Sequence, residues 1–230
     1  QSLSSAASDV YKRQVLKPSI GVITNIGNSH LENLINIKGV LKVKSELVPN
    51  IRKNGYLVVP SENPSHLKFW SNIRNDIHII TFGLKSNADF YSTNIRNYSN
   101  RTEFNICSKK YNLSIKITTT LLGDHNIKNI LATFAAGFCI NNPIDSFLTG
   151  LEKSSVNNLR QKQSKWIKGS LLIDDTYNAN PESVKKSIDL IKSFNKKRAI
   201  FILGDMKELG RYRKKLHQGV GIYAKNHKIH

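Results

Sequence analysis

The sequence predicts an α/β protein that contains parts of two domains, and three observations lead to this fold class. A β-branched run at 20–26 precedes a segment at 37–47 whose apolar residues have helical spacing. Alternating apolar and polar residues between Asp89 and Ile117 predict an antiparallel meander. A strand, helix, strand order between 170 and 205 predicts a βαβ unit with a parallel sheet.

Each predicted element has a local signal. Short β-branched runs bounded by turn or breaker residues predict strands, and apolar residues at helical spacing behind a capping residue or proline predict helices. The strands are expected at 20–26, 55–59, 77–82, 170–175 and 199–205, and the helices at 37–47, 124–140, 144–153 and 181–194. Asp124 is expected to cap its helix, and Pro181 to lie in the first turn of the last one. The polar stretch 154–164 lacks periodicity, which predicts a domain boundary.

Composition excludes some classes of protein. The 230 residues are 39% hydrophobic, enough for a core, and no run approaches the roughly 20 apolar residues that span a bilayer. Cys107 and Cys139 have no metal-ligand spacing and lie in apolar patterns, which predicts buried thiols in a reducing cytoplasm. The net charge of +19 raises the hypothesis of a nucleic-acid-binding module, but its lysines are spread along the chain. Basic clusters at 196–198 and 211–215 most often mark solvated surfaces, and they could also attract an anionic substrate.

A histidine and a lysine are the first candidates for chemistry. His30 lies in the polar loop of ITNIGNSHLENL, after the first strand, and Lys44 lies on the following helix within KVKSE. Taken singly, each is more often an exposed loop histidine or a solvated helix lysine. The chain contains neither the GxxxxGK-Ser/Thr loop nor the GxGxxG pattern that cradles phosphates.

Five segments, in this order, closely resemble the Mur ligases. They are ITNIGNSHLENL, GVLKVKSELV, LLGDHNIKNILAT, LLIDDTYNANPESV and LGDMKELG, and the likeness runs from about Val15 to about Ala224. The family has an N-terminal substrate domain, a central ATPase domain and a C-terminal Rossmann-like domain. The resemblance implies that 15–158 are the latter part of the central domain and 159–230 the first part of the C-terminal domain.

The same resemblance implies that a substrate domain, a P-loop and a metal-binding glutamate precede Val15 in a complete protein. This chain alone is therefore expected to be inactive, because phosphoryl transfer depends on positioning and charge stabilisation. Residues 1–14 lack the apolar core of a signal peptide and join the patterned chain abruptly at Val15. We expect them to be a disordered tail or an artefact.

The chemistry that the resemblance implies is ATP-dependent amide formation through an acyl phosphate, assisted by Mg2+. The combination of DDTYNANP and GDMKELG favours addition of D-alanyl-D-alanine to UDP-N-acetylmuramoyl-tripeptide in peptidoglycan precursor synthesis, by a cytoplasmic monomer that binds no nucleic acid. The alternatives are a diaminopimelate- or lysine-adding ligase of the same family and a folylpolyglutamate synthase. Outside these enzymes, a basic nucleic-acid-binding module and a degenerate, inactive fragment remain open.

The resemblance also assigns the catalytic and metal-binding residues. His30 matches the magnesium-binding histidine of the family. Lys44 matches the lysine that CO2 carbamylates, and the resulting anion suits Mg2+ where an ammonium does not. Lys42 is the competing candidate for that role. Arg160 matches an arginine that reaches the γ-phosphate, but here it stands in NNLRQ rather than in the usual proline-glycine-arginine run.

The remaining candidates match nucleotide- and substrate-binding positions. Amide, imidazole and carboxylate groups suit a purine edge and ribose hydroxyls. The nucleotide-binding candidates are His125, Asn126 and Asn129 near the adenine, Arg160 at the γ-phosphate, and Asp175, Tyr177 and Asn180 in the turn before the last predicted helix. Capping and turn formation explain several of these residues equally well. Asp205 and Glu208 are expected either to position the incoming dipeptide or to shape their loop.

Overall fold

The protein is described by a computed structural model. It covers residues 17–27, 36–98, 100–154, 162–194 and 198–229. A first unit, residues 17–154, is built around a six-stranded sheet, and a second unit, residues 162–229, contains a two-stranded sheet and two helices. The predicted mixed α/β class is confirmed.

The larger sheet contains its strands in chain order, with parallel strands in its first half and antiparallel strands in its second. The strands are β1 (Ile20–Val22), β2 (Tyr56–Pro60), β3 (His78–Gly83), β4 (Phe90–Asn97), β5 (Thr102–Ser108) and β6 (Leu113–Thr119). β1 to β4 pair in parallel, whereas β4, β5 and β6 form the predicted antiparallel meander. The register places Gly21 beside Leu57 and Leu57 beside Ile79.

Six α-helices accompany the two sheets in the part of the chain that the structure describes. They are α1 (Ile37–Ser45), α2 (Pro64–Ile73), α3 (Asp124–Cys139), α4 (Ile144–Lys153), α5 (Pro181–Ser193) and α6 (Arg213–Asn226). The predicted α1, α3, α4 and α5 are confirmed, while α2 and α6 were not predicted. The predicted cap of α3 is wrong: Gly123 is the N-cap residue and makes no side-chain cap bond, and Asp124 is the first helical residue.

Helices cover both faces of the larger sheet, and β2 shows how its sequence requires this. Its side chains alternate between two faces, as in any strand. Val58 belongs to a core formed mainly with α3, whereas Leu57 and Val59 belong to a second core that includes Trp70 of α2. All three β2 residues are fully buried, which explains the continuous apolar run of this strand.

The sheet of the second unit corrects the sequence prediction. β7 (Lys162–Lys165) lies in the stretch expected to be a linker, and it pairs antiparallel with β8 (Leu171–Asp174). The second strand predicted at 199–205 is wrong, because no strand is assigned between 198 and 206, all of which the structure describes. Ile200 and Ile202 in that segment are 59% and 92% exposed. Without a neighbouring strand to complete its hydrogen bonds, an apolar run cannot form a sheet.

The two helices of the second unit pack against each other around a small core. Val184 and Ile188 of α5 meet Val220 of α6, and Met206 and Leu209 complete this core from the intervening loop. This core fixes the direction of α5, whose first turn approaches the first unit.

Within the described residues, every helix is too short or too polar to cross a bilayer.

The two cysteines differ from the prediction of buried thiols, because both are only half-buried. Burial nevertheless raises the pKa of the Cys139 thiol to about 11. The Sγ atom of Cys107 lies 3.2 Å from Oγ1 of Thr93 on the neighbouring strand. Both residues are part of the packing around the meander and α3.

Candidate functional site

Lys44 reaches back from α1 to the loop that follows β1. Its Nζ atom donates to the backbone oxygen of Asn25 at 2.9 Å and to Oδ1 of the same residue at 3.1 Å. Lys42 is exposed, whereas Lys44 is half-buried. Two positions along an α-helix are about 200° apart around its axis, so the two lysines point to different sides. The geometry favours Lys44 over Lys42 as the lysine that binds the loop after β1.

Local packing holds α1 in place. Oδ1 of Asn36 accepts the N–H of Gly39 at 3.1 Å and caps the helix, as its sequence position before an apolar run allows. At the other end, Oγ of Ser45 accepts the indole N–H of Trp70 at 2.8 Å and donates to the carbonyl of Leu41 at 2.6 Å. Trp70 is fully buried, so the turn that carries Lys44 is tied to the second core.

The predicted metal site consists of His30 and Lys44. His30 lies outside the described residues, so its distance from Lys44 stays a prediction. Among the residues that the structure describes, no three or more His, Cys, Asp or Glu side chains form a group able to hold a metal ion. A carbamate on Lys44 would add two oxygens beside those of Asn25, and oxygen is the ligand type that Mg2+ prefers. Among the described residues, the donor chemistry therefore fits Mg2+ only when Lys44 is carbamylated.

The turn before α5 carries the second group of candidates. Asp175 accepts the hydroxyl of Ser187 at 2.6 Å through Oδ2. Oδ1 of Asn180 accepts the N–H groups of Glu182 and Ser183, and the Ser183 hydroxyl completes a capping box. Asn180 thus holds the turn, as the structural alternative predicted, while Tyr177 is 61% exposed.

This turn meets the loop after β1. The carboxylate of Glu182, in the first turn of α5, packs so closely on Gly27 that a β-carbon on residue 27 would overlap it. A side chain at this position would therefore require the flexible carboxylate of Glu182 to move. The ITNIG and DDTYNANP segments, about 150 residues apart in sequence, lie at one place in the structure.

A cleft with polar and apolar walls lies between the two units. It encloses about 220 Å3 and is lined by Asn97, Tyr98, Leu122, Gly123, Asp124 and His125 from the first unit and by Lys186, Asp189, Leu190 and Ser193 from α5. Of the three predicted adenine contacts, His125 lines this cleft. Asn126 donates its amide to the carbonyl of Leu122 at 2.7 Å, and Asn129 is exposed outside the cleft lining.

Asp189 is the acidic side chain that α5 contributes to the cleft. Its Oδ1 accepts the hydroxyl of Tyr223 at 2.7 Å. This bond raises the pKa of Tyr223 above its ordinary value, with smaller contributions from partial burial and from the charge of Asp189. The cleft wall is thereby linked to α6, which carries Tyr223.

The loop 204–210 is held by α6. Nη2 of Arg213 donates to Oδ2 of Asp205 at 2.7 Å, and Nε donates to Oδ1 at 3.2 Å. Nε2 of His217 accepts the backbone N–H of Met206 at 3.1 Å. Glu208 is exposed and has a positive φ of 60°. These contacts give Asp205 a role in shaping the loop, and a role with a dipeptide stays a prediction.

Sequence reasoning missed several residues that the structure brings to the site. Asn25 and Glu182 lie inside recognised segments but were assigned no role. For Lys186 and Asp189, the sequence indicates only that the two side chains lie on the same face of a helix, because they are three positions apart. Arg160, predicted at the γ-phosphate, lies outside the described residues, and its placement stays a prediction.

The fold defines a two-unit α/β protein with a cleft between a unit built on a mixed six-stranded sheet and a smaller α/β unit. Residues 3–137 match the family model of the Mur ligase middle domain, and residues 160–229 match that of the Mur ligase glutamate ligase domain. The chain therefore belongs to the Mur ligase family.

Curated relatives agree with this assignment. A UDP-N-acetylmuramoyl-tripeptide–D-alanyl-D-alanine ligase of Haemophilus influenzae is 33% identical over 213 residues, which cover 93% of this chain and 45% of the relative. A Buchnera aphidicola protein of the same name is 32% identical over 221 residues, which cover 94% and 46%. The chain thus spans less than half the length of these relatives.

Solved structures show the same fold. MurF from Acinetobacter baumannii superimposes with a TM-score of 0.84 at 24% identity, over 94% of this chain and 46% of that one. MurF from Thermotoga maritima, solved in complex with ADP, gives a TM-score of 0.80 at 22% identity, over 93% and 48%. A folylpolyglutamate synthase mutant from L. casei gives 0.64 at 16% identity, a likeness of fold.

Proposed function

We propose that this chain provides part of an ATP-dependent amide ligase that adds D-alanyl-D-alanine to UDP-N-acetylmuramoyl-tripeptide in the cytoplasm. Residues 15–158 contribute to the central ATP-binding domain, and residues 159–230 contribute to the C-terminal domain. The observation that carries the proposal is the contact of Glu182 with Gly27, which joins the two motif loops at one site. The names of the two curated relatives support the choice of substrates.

In the proposed reaction, a substrate carboxylate attacks the γ-phosphorus of ATP to give an acyl phosphate and ADP. The amine of D-alanyl-D-alanine then attacks the acyl carbon, and phosphate leaves. Mg2+, when bound, neutralises charge on the transferring phosphoryl group. His30 and carbamylated Lys44 would hold that ion, and Arg160 would contact the γ-phosphate.

The proposed nucleotide contacts of this chain lie in two places. His125 lines the cleft from the first unit, and Asp175 lies in the turn before α5, outside the cleft lining. A carboxylate accepts hydrogen bonds from ribose hydroxyls, and an imidazole packs beside or bonds to a purine. Asn180 caps α5, so its role is to hold the turn in place and not to contact the nucleotide.

The test uses the complete gene product that contains this chain, supplied with ATP, Mg2+, the muramoyl-tripeptide and D-alanyl-D-alanine. We expect phosphate release that depends on the dipeptide, and its loss in Lys44→Ala with partial recovery on adding small carboxylates. Lys42→Ala is the matched control, because Lys42 is exposed on the same helix. Full activity of Lys44→Ala would end the carbamate assignment.

Two outcomes would favour the other functions. Phosphate release with diaminopimelate, lysine or glutamate in place of the dipeptide would identify a different ligase of this fold. Nucleic-acid binding at physiological salt that falls steeply as salt rises, without nucleotide binding, would support a basic binding module.

A further inference from the structure

Asn25 offers two oxygens to one lysine nitrogen. Its backbone carbonyl and its side-chain Oδ1 lie 2.9 and 3.1 Å from Nζ of Lys44. The side chain of Asn25 is exposed, so its position reflects this contact rather than core packing. A backbone and a side-chain oxygen of the same residue therefore locate Nζ at the carboxyl end of β1.

We propose that Asn25 is a positioning residue that serves both forms of Lys44, first as the ammonium and then as the carbamate. The inference rests on the proposed function, in which Lys44 is carbamylated. It goes further by assigning the residue that orients the modified side chain.

The covalent step determines what Asn25 must do. After an ammonium proton has left to water, the Nζ lone pair attacks the carbon of CO2, and one C–O electron pair moves to oxygen. A second proton then leaves, so Lys–NH3+ and CO2 give Lys–NH–COO− and two protons. Nζ keeps a single N–H, so only one of the two Asn25 oxygens retains its hydrogen bond.

The backbone oxygen is suited to keep that bond. It cannot rotate away, and a carbamate nitrogen is planar like that of an amide. A single N–H bond to the fixed carbonyl therefore sets the plane of the carbamate and the direction of its two oxygens. The side-chain amide of Asn25 is released by the same change.

An asparagine side chain can serve the new anion because it contains both an acceptor and donors. Rotation of the amide would replace Oδ1 with the NH2 group, which donates to a carbamate oxygen. An aspartate of the same shape accepts from the ammonium equally well, but it has no donor and repels the carbamate. The amide is therefore the feature that matters, more than the size of the side chain.

The test measures carbamate directly, by carbon-13 NMR of the complete gene product in labelled bicarbonate with Mg2+. We expect a carbamate signal in the wild type and in Lys42→Ala, its loss in Lys44→Ala and Asn25→Asp, and a weaker signal in Asn25→Ala. Circular dichroism of each variant checks that the fold is retained. Should Asn25→Asp unfold, the contrast between Asn25→Ala and the wild type decides the matter.

A wild-type signal level in both Asn25 variants would overturn the inference, as would the absence of carbamate from the wild type. These results differ from a failure of the proposed function. Ligation without any carbamate would reject the carbamylation of Lys44, and with it the role of Asn25, but not the ligase function. A carbamate signal without ligation would reject the ligase function alone.

Discussion

The hydrogen bond between Trp70 and Ser45 predicts a specific energetic coupling. The indole N–H is fully buried and donates to Oγ of Ser45, which follows Lys44 on α1. Replacing Ser45 with alanine leaves this donor unsatisfied, at a cost of about 1–3 kcal/mol in the free energy of unfolding. The hydroxyl also donates to the carbonyl of Leu41. Loss of this second bond should cost less, because a carbonyl oxygen inside a helix also accepts a backbone N–H.

A double-mutant cycle isolates the coupling. Trp70→Phe removes the buried donor, so Ser45→Ala should cost clearly less in that background than in the wild type. The difference between the two costs should be about 1 kcal/mol or more, as expected for residues in direct contact. Unfolding in urea followed by far-UV circular dichroism measures each variant without relying on tryptophan fluorescence.

Ser71→Ala is the matched control for this cycle. Ser71 lies on α2 next to Trp70, but it is exposed and donates only to the carbonyl of Lys68. Its replacement should change the free energy of unfolding by less than about 0.5 kcal/mol. Equal costs of Ser45→Ala in the two backgrounds would refute the reasoning, because the coupling energy between Ser45 and Trp70 would then be zero.

Three further changes test other contacts by urea unfolding. Asn180→Ala removes the cap of α5 and should cost about 1 kcal/mol, whereas Asn180→Asp should retain most of the stability. Gly123→Ala should cost about 1–3 kcal/mol, because residue 123 has a φ of 86° and a ψ of 155°, a region that is open almost only to glycine. The raised pKa of Tyr223 stabilises the fold fully below the ordinary tyrosine value of about 10, and this contribution is lost as pH rises through the folded pKa. Asp189→Ala should therefore make the decline of stability above about pH 10 less steep, and an unchanged decline would contradict this.

Periodicity predicted most of the first unit because its elements are amphipathic or fully buried. The antiparallel meander and helices α3 and α4 follow directly from such patterns. Helix α2 was missed although it has a recognisable start, an asparagine cap at Asn63 followed by Pro64. Its apolar residues Leu67, Trp70 and Ile73 are also three positions apart, the spacing of one helix face.

The errors arose where a local pattern depends on distant partners. The apolar residues at 200 and 202 have strand alternation, but no strand lies beside them in the described part of the chain, so no sheet forms there. Asp124 has the residue type of a cap, yet Gly123 takes that position because its positive φ lets the chain enter the helix. A local sequence pattern is compatible with more than one structure, and contacts with the rest of the fold determine which one forms.

The candidate site depends even more on contacts between residues that are far apart in the sequence. The resemblance selected Lys44 over Lys42, but only the fold reveals that Asn25, nineteen positions away, receives its Nζ hydrogen bonds. The approach of Glu182 to Gly27 crosses from one unit to the other, so no local pattern encodes it. Residues that act on a site through another residue are therefore hardest to predict from sequence.

The capping of α5 narrows the ways in which this chain can hold a nucleotide phosphate. A helix N-terminus binds phosphate through backbone N–H groups that have no other acceptor. In α5 the side chain of Asn180 already accepts those of Glu182 and Ser183, so a phosphate would have to displace the cap. Phosphate recognition at this end of α5 would then depend on side-chain charge, for which the predicted Arg160 is the candidate. A backbone cradle of the P-loop type has no counterpart at the start of α5.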